Sequence, residues 1–314
     1  MTVKCSQILL KYPVYELVGE EQRFHLYLST LAEQLRVNKL SHIVLAEDLA
    51  NELSLVLQVI RYYDVVFLRG QVPFAVKQIV LGKTASPWQN SLSWPSPKPQ
   101  ATKLFLADLF SDLQQFMAKT PVWACILIGG RSSRMGQPKH LIQDSDGTTW
   151  LEKAVATVRP YVTGIVLSGR GEVSRNLSDL PRLPDIPSVA GPLNGILSAG
   201  RWQPHLSWLL MACDMPCISG EAIGWLLQDR TFGCWGKVPQ IPGRKYPEPL
   251  FAWYDFRSVG LFEKQLLTGN LRIGEIAAHE KISTPAVPQR LLLDWQNVNT
   301  PEQLSLLAQK SYPD

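Results

Sequence analysis

A loop rich in glycine, serine and positive charge follows a short apolar segment in the middle of the chain. Residues Val122–Ile128 are all apolar, which is typical of a strand buried on both faces. The sequence GGRSSRMG comes next, at 129–136, and Lys139 follows shortly after it. Adjacent glycines let backbone N–H groups approach a phosphate closely, and the side chains of Arg134 and Lys139 add positive charge. These residue types predict a loop that binds phosphate.

This loop differs from the two commonest phosphate-binding motifs. A Walker loop needs Gly-x4-Gly-Lys-Ser/Thr, and a dinucleotide-binding loop needs Gly-x-Gly-x-x-Gly. Neither pattern occurs in residues 129–139. The alternative interpretation gives this segment no binding function. It would then be a Gly- and Ser-rich turn between a strand and a helix, with its arginine side chains exposed to water.

Two carboxylates are further candidates for ligand binding. Asp214 closely follows the apolar segment Ser207–Ala212, and ligands bind at the carboxyl ends of parallel strands. One such carboxylate is enough for Mg²⁺, which also binds substrate phosphates. Asp185 precedes GPLNG at 191–195, and a carboxylate can accept hydrogen bonds from both N1–H and the amino group of guanine. The structural alternatives are a turn before Pro216 for Asp214, and a Pro-rich loop before a helix for Asp185.

Composition excludes several classes of protein. The length of 314 residues favours two domains, and 46% hydrophobic with 18% charged residues is ordinary for a globular chain. A net charge of +4 is too small to indicate nucleic-acid binding, but it is compatible with small anionic ligands. The five cysteines are scattered and form no zinc pattern, which favours a reducing compartment. No apolar run approaches about 18 residues and no leader pattern is present, so we expect a cytoplasmic protein without membrane contact.

The first 120 residues alternate between strand and helix patterns. The spacing predicts strands over 13–19, 42–46, 64–69 and 77–81, and helices over 20–36 and 49–60. A Pro-, Ser- and Trp-rich stretch at 83–100 predicts an irregular loop. An amphipathic helix is then expected from Thr102 to Thr120. Alternation of this kind predicts a parallel α/β sheet.

The rest of the chain gives a second set of strands and helices. Strands are predicted over 122–128, 164–167 and 207–212, and a hairpin between 234–238 and 250–253. Helices are predicted over 150–158, behind Thr148 and Thr149 as cap, and from GPLNG toward Ala199. Thr300-Pro301 is expected to start the last helix.

The sequence GGRSSRMGQPK resembles the GGxSxRMGxxK signature of the nucleotidyltransferases that act on molybdopterin. Three further stretches resemble that family in the same order: Asp185 with GPLNG, Cys213-Asp214-Met215-Pro216, and NVNTPEQL at 297–304. The resemblance covers about 121–314 and is to the guanylyltransferase branch. The chain departs from the family at Ile128, where Ala is usual, and at Ser168, where some members have Asn.

The resemblance implies a Rossmann-like nucleotidyltransferase domain with a mostly parallel sheet over 121–314. It implies transfer of GMP from GTP to the phosphate of molybdenum-molybdopterin, with release of pyrophosphate. The implied catalytic residues are Arg134, Lys139 and Asp214, and Mg²⁺ would be held by Asp214 and Asn299. Arg244 and Lys245 are expected to face the pterin. The implied nucleotide-binding residues are Leu127, Ile128, Gly129, Gly130, Arg131, Ser132, Gly136, Lys139, Asp185, Gly191, Pro192, Leu193, Gly195 and Asp214.

Residues 1–120 resemble, in shortened form, the GTP-binding adaptor protein of the same pathway. The strands in YELVG, DVVFLRG and KQIVL carry this similarity. Where a Walker loop would have Gly-Lys-Thr, this chain has Phe24, His25 and Leu26, and Glu20 and Glu21 add charge that repels a triphosphate. We therefore expect a smaller, degenerate P-loop-like domain over 1–120 that does not bind GTP and acts as a docking surface.

The implied partners are GTP, molybdenum-molybdopterin, a molybdenum insertion protein, and molybdoenzyme apoproteins or their chaperones. One alternative is an enzyme of the same fold that uses CTP or a sugar-phosphate acceptor. The other is a non-catalytic protein that binds nucleotide or cofactor. Asp185 with GPLNG favours guanine, and the presence of Lys139 and Asp214 favours catalysis.

Overall fold

The computed structural model describes residues 8–20, 24–82, 91–128, 137–187, 189–300 and 302–303. The chain divides into two compact units, Met1–Thr120 with Arg230–Gly233 and Pro121–Asp229 with Cys234–Asp314. Each unit contains one sheet. The predicted phosphate loop lies outside the described residues, and so do Glu21 in the altered Walker position and Pro301 at the predicted start of the last helix.

The first unit is built on a five-stranded sheet with the order β2-β3-β1-β4-β5, in which every pairing is parallel. Its strands are β1 Val14–Val18, β2 His42–Leu45, β3 Val65–Arg69, β4 Lys77–Leu81 and β5 Leu92–Trp94. Its helices are α1 Phe24–Val37, α2 Glu47–Ala50, α3 Leu53–Val59 and α4 Pro99–Lys119. The predicted parallel α/β sheet is therefore confirmed.

The prediction of an irregular loop over 83–100 was wrong in its second half, where β5 forms at Leu92–Trp94. Trp94 is fully buried. Its ring stacks on Phe105 with centroids 4.5 Å apart, and its Nε1–H donates to Thr102 Oγ1 at 3.3 Å. Both partners belong to α4, which begins at Pro99 rather than at the predicted Thr102. Packing against this helix overrides the loop-like composition of the strand.

The single helix predicted over 49–60 is in fact two helices, α2 and α3. The chain leaves the helical conformation at Glu52, whose φ and ψ are −92° and 95°. Ala50 and Val56 are both fully buried. Residues six apart point to different sides of a continuous helix, at about 100° per residue. The break therefore lets both side chains reach the core.

The second unit contains a seven-stranded sheet with the order β12-β10-β11-β9-β6-β7-β8. Its strands are β6 Val122–Leu127, β7 Gly164–Ser168, β8 Arg182–Leu183, β9 Ser207–Ala212, β10 Gly236–Lys237, β11 Phe251–Tyr254 and β12 Ile282–Ser283. Its helices are α5 Trp150–Val158, α6 Pro192–Trp202, α7 Gly220–Leu227 and α8 Ser258–Leu267. No helix in the described ranges is long and apolar enough to cross a membrane.

The strands β9, β6, β7 and β8 form a parallel core in this second sheet. The other edge is mixed: β11 is antiparallel to both β9 and β10. The mostly parallel sheet and the predicted hairpin of β10 and β11 are therefore confirmed. From β6 the chain adds β7 and β8 on one side and then β9 on the other, so the strand order reverses beside β6. Ligands bind at such a reversal in open α/β sheets.

A capping box starts α5. Thr149 Oγ1 accepts the N–H of Glu152 at 3.2 Å, and a carboxylate oxygen of Glu152 accepts the N–H of Thr149 at 2.9 Å. The other oxygen accepts from Ser174 and Asn176. These hydrogen bonds, the backbone bond from Thr149 foremost, lower the pKa of Glu152 from its ordinary 4.5 to about 2. Glu152 therefore joins the helix start to the segment after β7.

Replacing Glu152 by Ala is expected to lower the free energy of unfolding by about 1 kcal/mol at pH 7, the usual magnitude for a lost cap. Because the folded-state pKa is depressed, this contribution is present above about pH 4.5 and disappears as the pH falls toward 2. Denaturant unfolding at several pH values measures it. The matched control is Glu221→Ala, which removes an exposed first-turn carboxylate paired with Arg290 and should cost less. An equal effect of both substitutions would contradict a special role for the box.

Candidate functional site

The four parallel strands of the second unit end at one edge of the sheet. The register pairs Leu127 of β6 with Ser168 of β7 and with Ala212 of β9, and pairs Ser168 with Leu183 of β8. All four residues are the last of their strands. The residues that follow include three of the predicted ligand contacts, Ile128, Asp185 and Asp214.

Lys139, Asp214 and Asn299 meet at this edge. The ammonium nitrogen of Lys139 donates to Asp214 Oδ2 at 3.1 Å and to Asn299 Oδ1 at 2.6 Å. The side chains of Lys139 and Asp214 are only 15% and 22% exposed. The backbone carbonyl of Asp214 accepts from Val298 N–H at 2.9 Å, which places Asn299 next to the end of β9. Three residues distant in the sequence thus form one polar cluster.

The second carboxylate oxygen of Asp214 can accept a cation. Asp214 Oδ1 is buried, and it accepts no hydrogen bond within the part of the chain that the structure describes. In that same part, no group of three or more His, Cys, Asp or Glu residues could hold a metal ion. One carboxylate and one amide oxygen form a donor set that suits Mg²⁺, which takes its remaining oxygens from water and phosphate. The residues present therefore fit this ion.

His140 anchors the segment that carries Lys139. The short 3₁₀ turn Lys139–Leu141 buries the imidazole, and its Nε2 lies 2.9 Å from the carbonyl oxygen of Glu172. Burial lowers the pKa of His140 below its usual value, against the raising effect of that hydrogen bond. The segment after the predicted phosphate loop is therefore attached to the segment after β7.

Glu248 is a residue near the cluster that sequence reasoning missed. It lies between β10 and β11, where Oε1 accepts Leu250 N–H at 3.1 Å and Oε2 accepts from Arg244 at 3.3 Å. Burial raises the pKa of Glu248, and the charge of Asp214 also raises it, while its bonds with Leu250 and Arg244 lower it. The only signal in the sequence was an acid between two prolines, which indicates a loop as readily as a site.

Asp185 lies at the same edge, beyond β8. Its side chain is 27% exposed and accepts from Arg170 Nε at 2.8 Å. The loop that follows is tied to α6 by the buried amide of Asn194, which donates to the carbonyl oxygens of Ile186 and Val189. Pro192 occupies the first turn of this helix, after Gly191 with φ +72°. Among the described residues, no hydrogen bond or ion pair joins Asp185 to Lys139 or Asp214.

The strand ends are packed so closely that two glycines are required. Ile128 N–H donates to the carbonyl oxygen of Ser168 at 2.8 Å. A Cβ at Gly169, where φ is +123°, would lie 1.7 Å from the carbonyl oxygen of Ile128. A Cβ at Gly195 would lie 2.2 Å from a methyl group of Leu127. Ile128 is itself buried, so the larger residue at this position is accommodated.

The structure thus gathers Lys139, Asp214 and Asn299, and places Leu127, Ile128, Asp185 and the GPLNG helix start along the same edge. The remaining predicted site residues lie outside the described residues: Gly129, Gly130, Arg131, Ser132, Arg134 and Gly136. Arg244 lies on the loop beside Glu248, and the Lys245 ammonium lies 5.1 Å from the ring centroid of Tyr246.

A separate open cleft of about 1090 Å³ belongs to the first unit alone, at the carboxyl ends of β1 and β3. Its lining contains the carboxylates of Glu16, Glu47 and Asp48 and the guanidinium of Arg69. Glu16 is buried and accepts from Gln78 Nε2 at 2.7 Å. A phosphate site presents N–H groups and positive charge, so a lining whose charged groups are mostly carboxylates is unfavourable for a triphosphate.

Comparison with known proteins places the second unit in a family. A family model described as MobA-like NTP transferase domain matches residues 124–272. A probable molybdenum cofactor guanylyltransferase of Bacillus mycoides is 30% identical over 185 residues, which are 57% of this chain and 91% of the relative. The molybdenum cofactor guanylyltransferase of Nitrobacter hamburgensis is 28% identical over 196 residues, 59% of this chain and 92% of that protein.

Two further similarities concern a longer relative and a solved structure. A molybdenum cofactor biosynthesis bifunctional protein of Synechocystis is 30% identical over 195 residues, and the match spans 59% of this chain but 53% of that protein. The crystal structure of molybdopterin-guanine dinucleotide biosynthesis protein A from Archaeoglobus fulgidus matches with a TM-score of 0.51 and 24% identity, over 60% of this chain and 98% of that one. At this identity the likeness shows a shared fold.

Replacing Gly169 by Ala is expected to lower the free energy of unfolding by at least about 2 kcal/mol, because a positive φ and a backbone clash combine there. Thermal or denaturant unfolding of the purified variant measures this. Gly147→Ala is the matched control, since Gly147 has φ +83° but nothing within 4 Å of a new Cβ. The control should cost only about 1 kcal/mol. Equal losses would show that the contact with Ile128 relaxes freely.

Proposed function

This chain belongs to the molybdenum cofactor guanylyltransferase family, and from that premise we propose that it transfers the GMP group of GTP to the phosphate of molybdenum-bound molybdopterin. The observation that carries the proposal is the cluster of Lys139, Asp214 and Asn299 at the carboxyl edge of the parallel strands. It lies beside the strand-order reversal, where ligands of such sheets bind.

The proposed reaction is a displacement at the α-phosphorus of GTP. An oxygen of the molybdopterin phosphate forms a bond to this phosphorus, and the bond to the pyrophosphate oxygen breaks. The attacking phosphate is largely ionised near neutral pH, so the site needs no strong general base. Catalysis then depends on positioning the two substrates and on neutralising negative charge around the reacting phosphorus.

Lys139 is assigned to charge neutralisation. Its ammonium is a compact charge with three donors, and two of these are directed at Asp214 and Asn299. This arrangement holds the charge at the edge of the sheet. Arg134 and the amides of Gly129–Gly136 are assigned to the triphosphate on the basis of the family resemblance.

Asp214 and Asn299 are assigned to Mg²⁺. The assignment is supported by the buried, unpartnered Oδ1 of Asp214 within the described ranges and by the nearby amide oxygen of Asn299. When bound, the ion would supply positive charge to the phosphates of GTP. On the acceptor side, Arg244 and Lys245 are assigned to the pterin phosphate, and Glu248 is assigned to holding Arg244.

Asp185 is assigned to the guanine base. Its carboxylate can accept from N1–H and the amino group together, and adenine and cytosine lack this pair of donors. No feature of the site favours the alternatives, which are the use of CTP, the use of a sugar-phosphate acceptor and a non-catalytic role.

The first unit is assigned a role other than nucleotide binding. Carboxylates line its cleft, and Phe24 and His25 replace the residues that a Walker loop uses. We assign to it a docking surface for a protein that delivers molybdenum-molybdopterin or receives the finished cofactor, such as a molybdenum insertion protein, an apoenzyme or its chaperone.

Pyrophosphate release tests the proposed function. With molybdenum-loaded molybdopterin and Mg²⁺, GTP should outperform CTP and ATP by more than about tenfold, the scale of one unpaired buried polar group. Titration calorimetry with GTP should give one site per chain, because the first unit should not bind it. Equal use of CTP would move the chain to a cytidylyl specificity. Binding of GTP without pyrophosphate release from any acceptor mixture would favour a binding protein.

Substitution of Asp214 and Lys139 tests the proposed roles. Asp214→Asn should lower turnover by at least about a hundredfold, because a principal electrostatic contact is lost. Lys139→Ala should weaken GTP binding and slow turnover together, and Lys139→Arg should restore only part of both, since a planar fork does not replace an ammonium.

Steady-state pyrophosphate release and nucleotide titration measure both effects. Asp179→Asn is the matched control, because it removes an exposed carboxylate of the same unit, and it should leave turnover unchanged. Near-normal turnover of Asp214→Asn at saturating Mg²⁺ would remove Asp214 from the mechanism.

A further inference from the structure

Arg170 is the ion-pair partner of Asp185. Arg170 comes two residues after β7 and Asp185 two residues after β8, and these strands are parallel neighbours. Arg170 Nε donates to Asp185 Oδ2 at 2.8 Å. The arginine side chain is 87% exposed. Exposed ion pairs contribute little to stability, so the fold does not depend on this contact.

The backbone that carries Arg170 is held firmly, although its side chain is exposed. Arg182 Nη2 donates to the carbonyl oxygens of Gly169 at 3.1 Å and Gly171 at 2.6 Å, one on each side of Arg170. Gly169 also packs directly against Ile128, the residue that follows β6. Arg170 is therefore presented from a constrained turn next to the carboxyl end of β6.

The guanidinium complements the part of guanine that a carboxylate cannot bind. Asp185 accepts from N1–H and the amino group, but the neighbouring O6 is an acceptor and needs a donor. Arg170 uses Nε for Asp185 and retains the N–H groups of its two terminal nitrogens, which lie in the same plane. Arginine is a common donor to guanine O6, for example in its bidentate contacts with O6 and N7 in the major groove of DNA.

We propose that Arg170 determines base specificity by donating to O6 of guanine while Asp185 accepts from N1–H and the amino group. The pair then presents donors and acceptors in the order that the guanine edge requires. Adenine and cytosine have an amino group in the place of O6, and that group would face the donors of Arg170. This inference rests on the proposed use of GTP, and it assigns the recognition of the 6-oxo group to a residue outside the family signature.

The test is equilibrium titration of the full chain with GTP, ITP and ATP in the presence of Mg²⁺. ITP keeps O6 and N1–H but lacks the amino group. Arg170→Ala should weaken GTP and ITP by the same factor, about tenfold, the scale of one hydrogen bond to a charged group. It should not weaken the binding of ATP, whose amino group gains nothing from the donors of Arg170. Arg170→Lys should recover part of the loss.

Two variants serve as controls. Asp185→Asn should lower the preference for GTP over ITP, because the carboxylate is the group that binds the amino group. Arg175→Ala removes an exposed arginine of the same segment and should change no affinity. Unfolding of each variant should match that of the unchanged chain.

Four outcomes would overturn the inference. A fall in the GTP-to-ITP preference of Arg170→Ala would mean that Arg170 only orients Asp185. Equal weakening of ATP would mean that Arg170 acts on the phosphates. Normal GTP binding by Arg170→Ala in a chain that binds GTP would refute this inference alone, whereas the absence of binding by the unchanged chain would refute the proposed function with it.

Discussion

The candidate site depends on the hydrogen bonds that the Lys139 ammonium donates to Asp214 and Asn299. This ammonium joins three segments that are far apart in the sequence: the turn after the predicted phosphate loop, the end of β9 at Asp214, and the chain near Asn299. The pair is largely shielded from water, so its Coulomb energy exceeds that of an exposed pair. Backbone contacts support it, since Val298 bonds to Asp214 and His140 lies against Glu172. Loss of this charge would leave Asp214 partly buried without its partner, which is costly.

Two aspartates at one sheet edge have different surroundings, and these suggest different roles. Asp214 combines a lysine contact with a buried free oxygen within the described residues, an arrangement suited to a cation. Asp185 is more exposed and faces an arginine, an arrangement suited to the hydrogen-bonding edge of a base. The sheet itself separates them, because Asp214 follows β9 on one side of β6 and Asp185 follows β8 on the other. A nucleotide lying across the edge would place its phosphates near the first and its base near the second.

The two units have similar parallel sheets, but different charged groups lie at the carboxyl edge of each sheet. In each, parallel strands end at an edge where polar residues collect, which is where α/β sheets bind ligands. The second unit places the Lys139 ammonium there, beside Asp214. The first unit has carboxylates and a single guanidinium around its cleft, with Glu16 buried in the middle of its central strand. Similar architecture therefore does not imply similar ligands, because function resides in the side chains at the edge.

Features that depend on neighbouring residues could be predicted from the amino-acid sequence alone. The apolar runs of β6 and β9, the cap at Thr149 and the positions of Lys139, Asp185 and Asp214 were all readable, because local pattern and residue chemistry specify them. Other features depend on residues that are distant in the sequence, and only the tertiary structure brings these residues together. Trp94 forms a strand because Phe105 and Thr102 bury it, and Glu52 interrupts a helix because Ala50 and Val56 both reach the core. Glu248 and Arg170 could be recognised as candidate site residues only from their surroundings in the folded chain, which no local sequence pattern encodes.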